Sequence, residues 1–355
     1  MTSYTFPDAP LRVYWELTRA CDLACRHCRA HAQPRREPDE LDTAGCERVL
    51  RRLASASPPP HVVFTGGDPL KRPDVVRLVE KGRELGLPVA VAPSATMRLT
   101  GDAVRALKSA GASAISLSLD GSSAARHDAL RGVLGCFGWT LAAAQRVVAA
   151  GLPLQVNTLV TADTAPDLEA TAALVGRLAA SRWSLFFLVA TGRGRALRQV
   201  DPREAELSLR WLAHRAAQWP FAVATTEAPL YRRIVVERMR AEGRGGDEIA
   251  RSPIAAAFGL RDGNGIMFIG AGGDVTPSGF LPVVAGNVRD ADPLEIYRDA
   301  PLFRTLRAPE LLRGRCGACG YRAICGGSRA RAYAETGDFL GQDPLCRLEP
   351  VAAAA

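Results

Sequence analysis

Between residue 11 and about residue 190 the sequence keeps one rhythm: a short β-branched run, a joint of Gly, Pro or polar residues, then apolar residues at helical spacing. The runs 11–18, 61–65, 88–92, 114–119, 153–160 and 183–189 read as strands, and 46–53, 75–85, 102–109, 141–150 and 168–178 as the helices between them. Turn signals sit in the joints, at Gly86 and Pro88, at Gly111, and at Gly151 and Pro153. Strands alternating with helices build a parallel sheet through right-handed crossovers. The fold class is therefore α/β, as a six-unit partial barrel or a doubly wound sheet. In either, functional loops gather at the C-terminal ends of the strands.

Beyond this repeat, a helix is expected at 202–218, a strand at 221–225 and a Gly-, Asp- and Arg-rich connector at 241–264. The pattern then changes to a hairpin, 266–269 with 274–277, a short helix at 293–299, a cysteine-bearing segment and an alanine tail. A chain of 355 residues accommodates one large domain, 1–240, and a smaller one, 265–355. No run of eighteen apolar residues is present, and the N-terminus lacks the basic and apolar regions of a signal peptide. These features point to a cytoplasmic protein without a membrane partner. Nine cysteines in such a chain read as thiolate ligands in a reducing compartment. The formal charge of +8 comes mostly from arginines spread along helices, with no lysine tail or aromatic-studded basic stripe, so no nucleic-acid partner is expected. Solvated helix faces account for that balance; a carboxylate-rich substrate is the alternative.

Two cysteine groups carry chemistry. Cys21, Cys25 and Cys28 follow the first strand as C-x3-C-x2-C. Three thiolates are one short of the four that enclose a 4Fe–4S cluster, which leaves one iron open to bind and activate a ligand. A zinc site completed by His27 or His31, or a disulfide fragment, is the plainer alternative. The second group, Cys316, Cys319, Cys325 and Cys346, supplies four thiolates, enough to close a cluster or to hold tetrahedral zinc. Cys46 and Cys136 match no ligand pattern; Cys46 reads as a packed thiol on a helix face.

The triplet in its strand–helix setting, ELTRACDLACRHCRA, resembles the site-cluster motif of the radical S-adenosylmethionine (SAM) enzymes. The resemblance covers nearly the whole chain. It implies a partial (β/α)6 barrel whose open iron is chelated by SAM, with one-electron reduction releasing a 5′-deoxyadenosyl radical that abstracts hydrogen from substrate. It also implies SAM contacts at the Gly66, Gly67, Asp68, Pro69 string, which is similar to the family's GGEP motif with Asp68 replacing Glu. Further contacts are implied at Ser94 and Thr96 after the third strand, at Ser118 and Asp120 ending the fourth, at Arg131 in a following loop, and at Asn157 on the fifth. Each of these polar residues also suits an ordinary turn or cap.

The spacing of Cys316, Cys319, Cys325 and Cys346 resembles the SPASM/twitch-like Fe–S domain of the same enzymes. It implies one auxiliary 4Fe–4S cluster, since Ser278 and Ser328 stand where related sequences often carry cysteine. The strings WELTRACDLACRHCRA, TPSGFLP and CGGSRARAYAETGD resemble a subgroup acting on haem and haem d1 precursors. That implies hydrogen abstraction from a tetrapyrrole propionate, decarboxylation or side-chain removal, and an electron donor such as flavodoxin or ferredoxin. Arg193 and Arg195, after the sixth strand, are candidate contacts to substrate carboxylates. Tyr321 and Tyr333 lie near the second cysteine group, where aromatic packing explains them equally well. The rival readings are a SPASM-type enzyme modifying a ribosomally made peptide and a non-catalytic Fe–S or zinc scaffold.

Overall fold

The computed structural model describes residues 4–350; the alanine tail lies outside them. Strands β1 (Arg12–Glu16), β2 (His61–Thr65), β3 (Val89–Val91), β4 (Ala114–Ser118), β5 (Leu154–Val160), β6 (Arg182–Phe187) and β7 (Ala222–Thr226) pair in parallel in that order. Helices α1 (Thr43–Leu53), α2 (Val75–Glu84), α3 (Gly101–Ala110), α4 (Ala124–Arg131), α5 (Cys136–Ala149), α6 (Leu168–Arg177), α7 (Pro202–Arg215) and α8 (Leu230–Ala241) complete the units.

Local chemistry sets the ends of these helices. Asp42 accepts the Gly45 N–H to start α1, Thr100 accepts that of Ala103 to start α3, and Asp201 with Glu204 forms a capping box for α7. Gly111 ends α3 in the left-handed region, at φ +96°, where a side chain would be strained.

The hairpin does not stand apart. After β8 (Arg261–Asp262), strand β9 (Gly265–Ile269) pairs in parallel with β1, and β10 (Asp274–Thr276) and β11 (Gly286–Asn287) continue antiparallel beyond it. One sheet thus runs β11-β10-β9-β1-β2-β3-β4-β5-β6-β7. The connector carries two helical turns, Gly246–Ala250 and Pro253–Ala257.

Side-chain alternation divides the sheet into two unlike faces. Along β5, Leu154, Val156, Thr158 and Val160 are buried, while Gln155, Asn157 and Leu159 are half-buried. Val13, Trp15, Val62, Phe64 and Trp183 point to the helix side and are fully buried in the main core. Each such large side chain contributes about 1.5–3 kcal/mol through burial. The inner face carries Arg12, Tyr14, His61, Thr65, Arg182 and Phe186, all half-buried. Their partial exposure distinguishes this face from the packed core of a closed eight-stranded barrel.

Two expectations require correction. Helix α4 is absent from the sequence reading, and α5 begins at Cys136, five residues before the expected 141. The buried face of α4 is His127, Asp128, Leu130 and Arg131, so it lacks the apolar stripe that marks a helix. Arg131 is therefore the last residue of a helix and not part of a loop.

Candidate functional site

The cysteine triplet occupies the loop leaving β1, and loops from four other strands fix it. Cys21 N–H donates to the Gln33 carbonyl (2.7 Å), Arg26 N–H to Leu130 (2.9 Å) and Arg193 N–H to the Cys28 carbonyl (3.0 Å). Asp22 pairs with Lys71 and, at 2.9 Å, with Arg98. The sulfurs themselves receive donors: Leu23 N–H to Cys21 Sγ (3.4 Å), Ala32 N–H to Cys28 Sγ (3.4 Å) and Arg131 Nη1 to Cys25 Sγ (3.7 Å). Such donors stabilise thiolate over thiol and tune a bound cluster. Burial acts in the opposite sense and pushes the Cys21 thiol up. Metal charge would reverse that and release the proton.

Size separates a cluster from a single ion. Zinc in four thiolates places sulfurs about 3.8 Å apart, from a Zn–S bond of about 2.3 Å. Among the described residues, neither cysteine group gathers three ligand atoms within 4.8 Å, nor do His27 or His31 join such a trio. The trio that does, His127, Asp128 and Cys136, is already satisfied: Asp128 accepts from Gly135 N–H, Phe137 N–H and the Cys136 thiol, and His127 Nδ1 accepts from Asp120 N–H. Cys136 thus packs beside Cys21 and Cys25 as a neutral thiol, pushed up to about 12 by burial and by Asp128. Cys46 is likewise a packed thiol in α1, pushed up to about 12 by burial.

The Gly66–Pro69 string crosses directly beneath the triplet. Gly67 N–H donates to the Thr18 carbonyl (2.8 Å) and Asp68 N–H to Ala20 (2.7 Å). A Cβ on Gly66 would lie 2.3 Å from the Thr18 oxygen, and one on Gly67 would lie 2.4 Å from the Ala20 oxygen, so only glycine permits this approach. Asp68 is fully buried and accepts from Leu70 N–H and Thr96 Oγ1 (3.0 Å), which binds the loop after β2 to the loop after β3. Burial raises its carboxyl. Ser94 Oγ donates to the Gly67 carbonyl and lies 3.4 Å from Cys21 Sγ. Asp68 and Thr96 are positioning residues here, whereas the glycine backbone and Ser94 face the triplet.

Ser118 and Asn157 are register partners on β4 and β5, half-buried on the inner face; Asn157 Oδ1 accepts from Gln155 Nε2 (2.7 Å). Asp120 and Arg131 are joined to each other. The Asp120 carboxylate accepts from Leu159 N–H (2.7 Å) and is ion-paired with Arg131, whose guanidinium also reaches Cys25. Burial works against this carboxylate, but Arg131 holds it below the usual range. Arg131 is thus engaged by Asp120 and by the Cys25 sulfur.

Arg193 also serves the cysteine loop, while its buried Nη2 has no partner among the described residues. Its Nε donates to the Cys25 carbonyl (2.9 Å) and its Nη1 to Ala32 (3.5 Å), so it clamps the cysteine loop from the loop after β6. Gly192 permits the clamp, for a Cβ there would meet the Cys28 oxygen at 2.5 Å. Arg195 is exposed.

At the far end, all four of Cys316, Cys319, Cys325 and Cys346 line one cavity, with Arg233 and Tyr321 on its wall. Cys316 Sγ receives Asp343 N–H (3.3 Å) and Arg329 Nη2 (3.6 Å), and Cys319 Sγ receives Tyr321 N–H (3.4 Å). Burial pushes Cys325 up to about 12 and Cys346 up to about 11. Buried thiols in one cavity with N–H donors fit a metal cluster that would take them as thiolates. Ser278 accepts Phe280 N–H in its turn. Ser328 caps the helix Arg329–Thr336 and donates to Glu227.

Glu227 and Arg331 were not picked out from the sequence, where each is one of many charged residues. Glu227 follows β7 at φ +56°, a strained conformation for a non-glycine residue. Burial and the adjacent Asp262 carboxyl push its carboxyl well above the usual range. Arg331 bridges the strand ends. It donates to the carbonyls of Glu227 (2.8 Å), Phe187 (3.3 Å) and Leu188 (3.2 Å) and pairs with Asp343.

A sequence profile of the radical SAM superfamily matches residues 15–175. The chain is 38% identical over 343 residues to the AdoMet-dependent heme synthase of Methanosarcina barkeri, spanning 97% of this chain and 98% of that protein. It is 29% identical over 350 residues to the pre-heme d1 synthase of Dinoroseobacter shibae, spanning 95% and 86%. Its fold is similar to that of Streptococcus suis SuiB bound to S-adenosylmethionine, with a TM-score of 0.74 at 20% identity over 96% of this chain and 78% of that one. SuiB has also been solved with its precursor peptide SuiA. Among the described residues, no single helix is long and apolar enough to cross a membrane.

Proposed function

The chain belongs to the radical SAM superfamily, and from that premise we propose that it removes a hydrogen atom from a propionate side chain of a tetrapyrrole, with loss of carbon dioxide or of the side chain. The observation that carries this reading is the 38% identity to a heme synthase across nearly the full length of both chains. When bound, the 4Fe–4S cluster and SAM supply the adenosyl radical. Cys21, Cys25 and Cys28 would hold that cluster; Gly66, Gly67 and Ser94 would approach SAM, with Ser118 and Asn157 on the inner face. Asp68, Thr96, Asp120, Arg131 and Arg193 fix the loops that present these groups.

Conversion of a propionate to a vinyl group removes one hydrogen atom, one carbon dioxide and one further electron. The chain must therefore present an electron acceptor, and Cys316, Cys319, Cys325 and Cys346 would hold a second 4Fe–4S cluster in that role. A flavodoxin- or ferredoxin-type donor in the cytoplasm would reduce the first site.

Anaerobic turnover of the reconstituted protein with a propionate-bearing tetrapyrrole tests the reading. The expected result is 5′-deoxyadenosine and carbon dioxide, both dependent on the tetrapyrrole. SAM cleavage coupled only to an added peptide would replace the reading with peptide modification.

A further inference from the structure

We propose that Arg12 and Arg182, facing each other across the barrel interior, form a subsite for a carboxylate of the substrate; this rests on the tetrapyrrole reading above and adds where an acidic side chain is held. Arg12 opens β1 and Arg182 opens β6, and strand alternation places both on the inner face. Arg12 is in register with His61 on β2, and Arg182 with Gln155 on β5 and Ala222 on β7. Five inter-strand steps separate β1 from β6, about 24 Å in a flat sheet. Burial depresses Arg182 and His61, and the Arg12 charge adds to both, as the Arg182 charge does at His61, so the sheet's curl brings the three groups within each other's field.

The surroundings supply no counter-charge. Arg131 pairs with Asp120, Arg233 with Glu206 and Glu237, and Arg331 with Asp343. Among the described residues, Arg12 and Arg182 have neither an ion pair nor a side-chain hydrogen bond. Facing cations with neither an ion pair nor a hydrogen bond, where buried Arg131, Arg233 and Arg331 are ion-paired and Arg232 and Arg261 donate to carbonyls, suit an anionic ligand, and a guanidinium fork matches a carboxylate in two bonds. Strand length adds a distance. Arg12 lies about 13 Å along β1 from Glu16, near the triplet loop. A rigid macrocycle anchored by one carboxylate at the strand starts could thus present another side chain toward the cysteine end.

The test is fluorescence titration of the full chain, cluster-loaded, with coproporphyrin, its tetramethyl ester and an oligoglutamate peptide, at low and high salt. Arg12→Gln and Arg182→Gln are each expected to weaken coproporphyrin binding by about tenfold and to reduce its salt dependence. Arg203→Gln, an exposed charge-matched control, is expected to leave binding unchanged. The ester is expected to bind wild type no better than coproporphyrin binds the double variant. Relief of like-charge repulsion is expected to keep or raise the melting temperature of both variants, which separates lost binding from lost folding. Coproporphyrin affinity shared by wild type and the double variant overturns the subsite and leaves the tetrapyrrole reading standing. Arginine-dependent capture of oligoglutamate in preference to coproporphyrin supports a carboxylate subsite and overturns the tetrapyrrole reading. Binding of neither ligand by wild type overturns both.

Discussion

The two cysteine sites place a guanidinium beside a thiol in the same way and differ in what surrounds it. Arg131 lies 3.7 Å from Cys25 and Arg329 lies 3.6 Å from Cys316. At the triplet, the Asp120 carboxylate cancels the Arg131 charge. At the quartet, Arg329 is held by the neutral carbonyls of Gly327, Phe339 and Gly341. Arg232 and Arg261 add their fields at Cys325, and neither has an ion pair among the described residues. Asp262 and Asp343 lie in the same fields, yet the three arginines outnumber the partners they pair with, and such an excess of positive charge favours the more negative, reduced state of whatever the thiols hold. The arrangement suits a proposed second cluster that receives an electron, while the neutral Arg131–Asp120 pair leaves the first site better suited to give one.

The largest expected effect separates the sites outright. Cys25→Ala should abolish SAM cleavage, whereas Cys319→Ala should retain it and lose tetrapyrrole product. Each should lower iron from roughly eight to roughly four per chain. Equal loss of SAM cleavage in both, or zinc in the quartet, would break the comparison.

Next come the two arginines. Arg131→Leu strands a buried carboxylate and should cost about 3–5 kcal/mol in denaturant titration, most of it restored by adding Asp120→Asn. Arg329→Leu leaves only carbonyls unpaired and should cost about 1–3 kcal/mol. Its distinguishing sign is a lower reduction potential at the quartet, read by spectroelectrochemistry. Equal stability losses would refute the charge argument.

Gly67→Ala should displace the triplet loop through the Ala20 carbonyl and weaken SAM binding by about 10–100-fold, comparable to loss of an outer-shell partner. Quartet iron should be unaffected, and loss of all iron would show that the sites do not assemble independently.

The smallest effect is a pH dependence confined to the triplet side. Burial and the Arg131 charge push His127 down to about 4, so it stays neutral in the fold, while the unfolded chain titrates near about 6.5. On acidification the unfolded chain takes up the proton first. The stability that His127 contributes should therefore fall by about 1.4 kcal/mol between about pH 8 and about pH 5.5, and His27, likewise pushed down to about 4 chiefly by burial, adds a share of similar size. His127→Asn, whose amide oxygen can replace Nδ1 as acceptor, should roughly halve that slope in thermal melts, the His27 share remaining.

Much of this organisation was legible in the sequence for a physical reason: period-two and period-3.6 patterns survive wherever one face is buried and apolar. Strand β5 shows this, with alternate residues committed to the core. The same logic explains what was missed. Helix α4 turns His127, Asp128 and Arg131 inward to serve the site, so its buried face is polar. The pairing of β9 with β1 joins residues some 250 apart, and no local pattern encodes it. The cysteine spacings named the likeness, but spacing cannot show that Arg131 and Arg193 are spent on the cysteine loop.

Arg331 has a mechanical consequence. The parallel run of strands ends at β7, and no strand ladder closes the barrel on that side. Arg331 does not bridge that gap; it ties the ends of the paired strands β6 and β7, at Phe187, Leu188 and Glu227, to the C-terminal helix that carries it. The strand ends and the C-terminal segment are therefore fastened through one guanidinium. A lysine of similar length but with a single nitrogen could not span the same carbonyls, so a change that alters no cysteine would loosen the C-terminal segment from the strand ends.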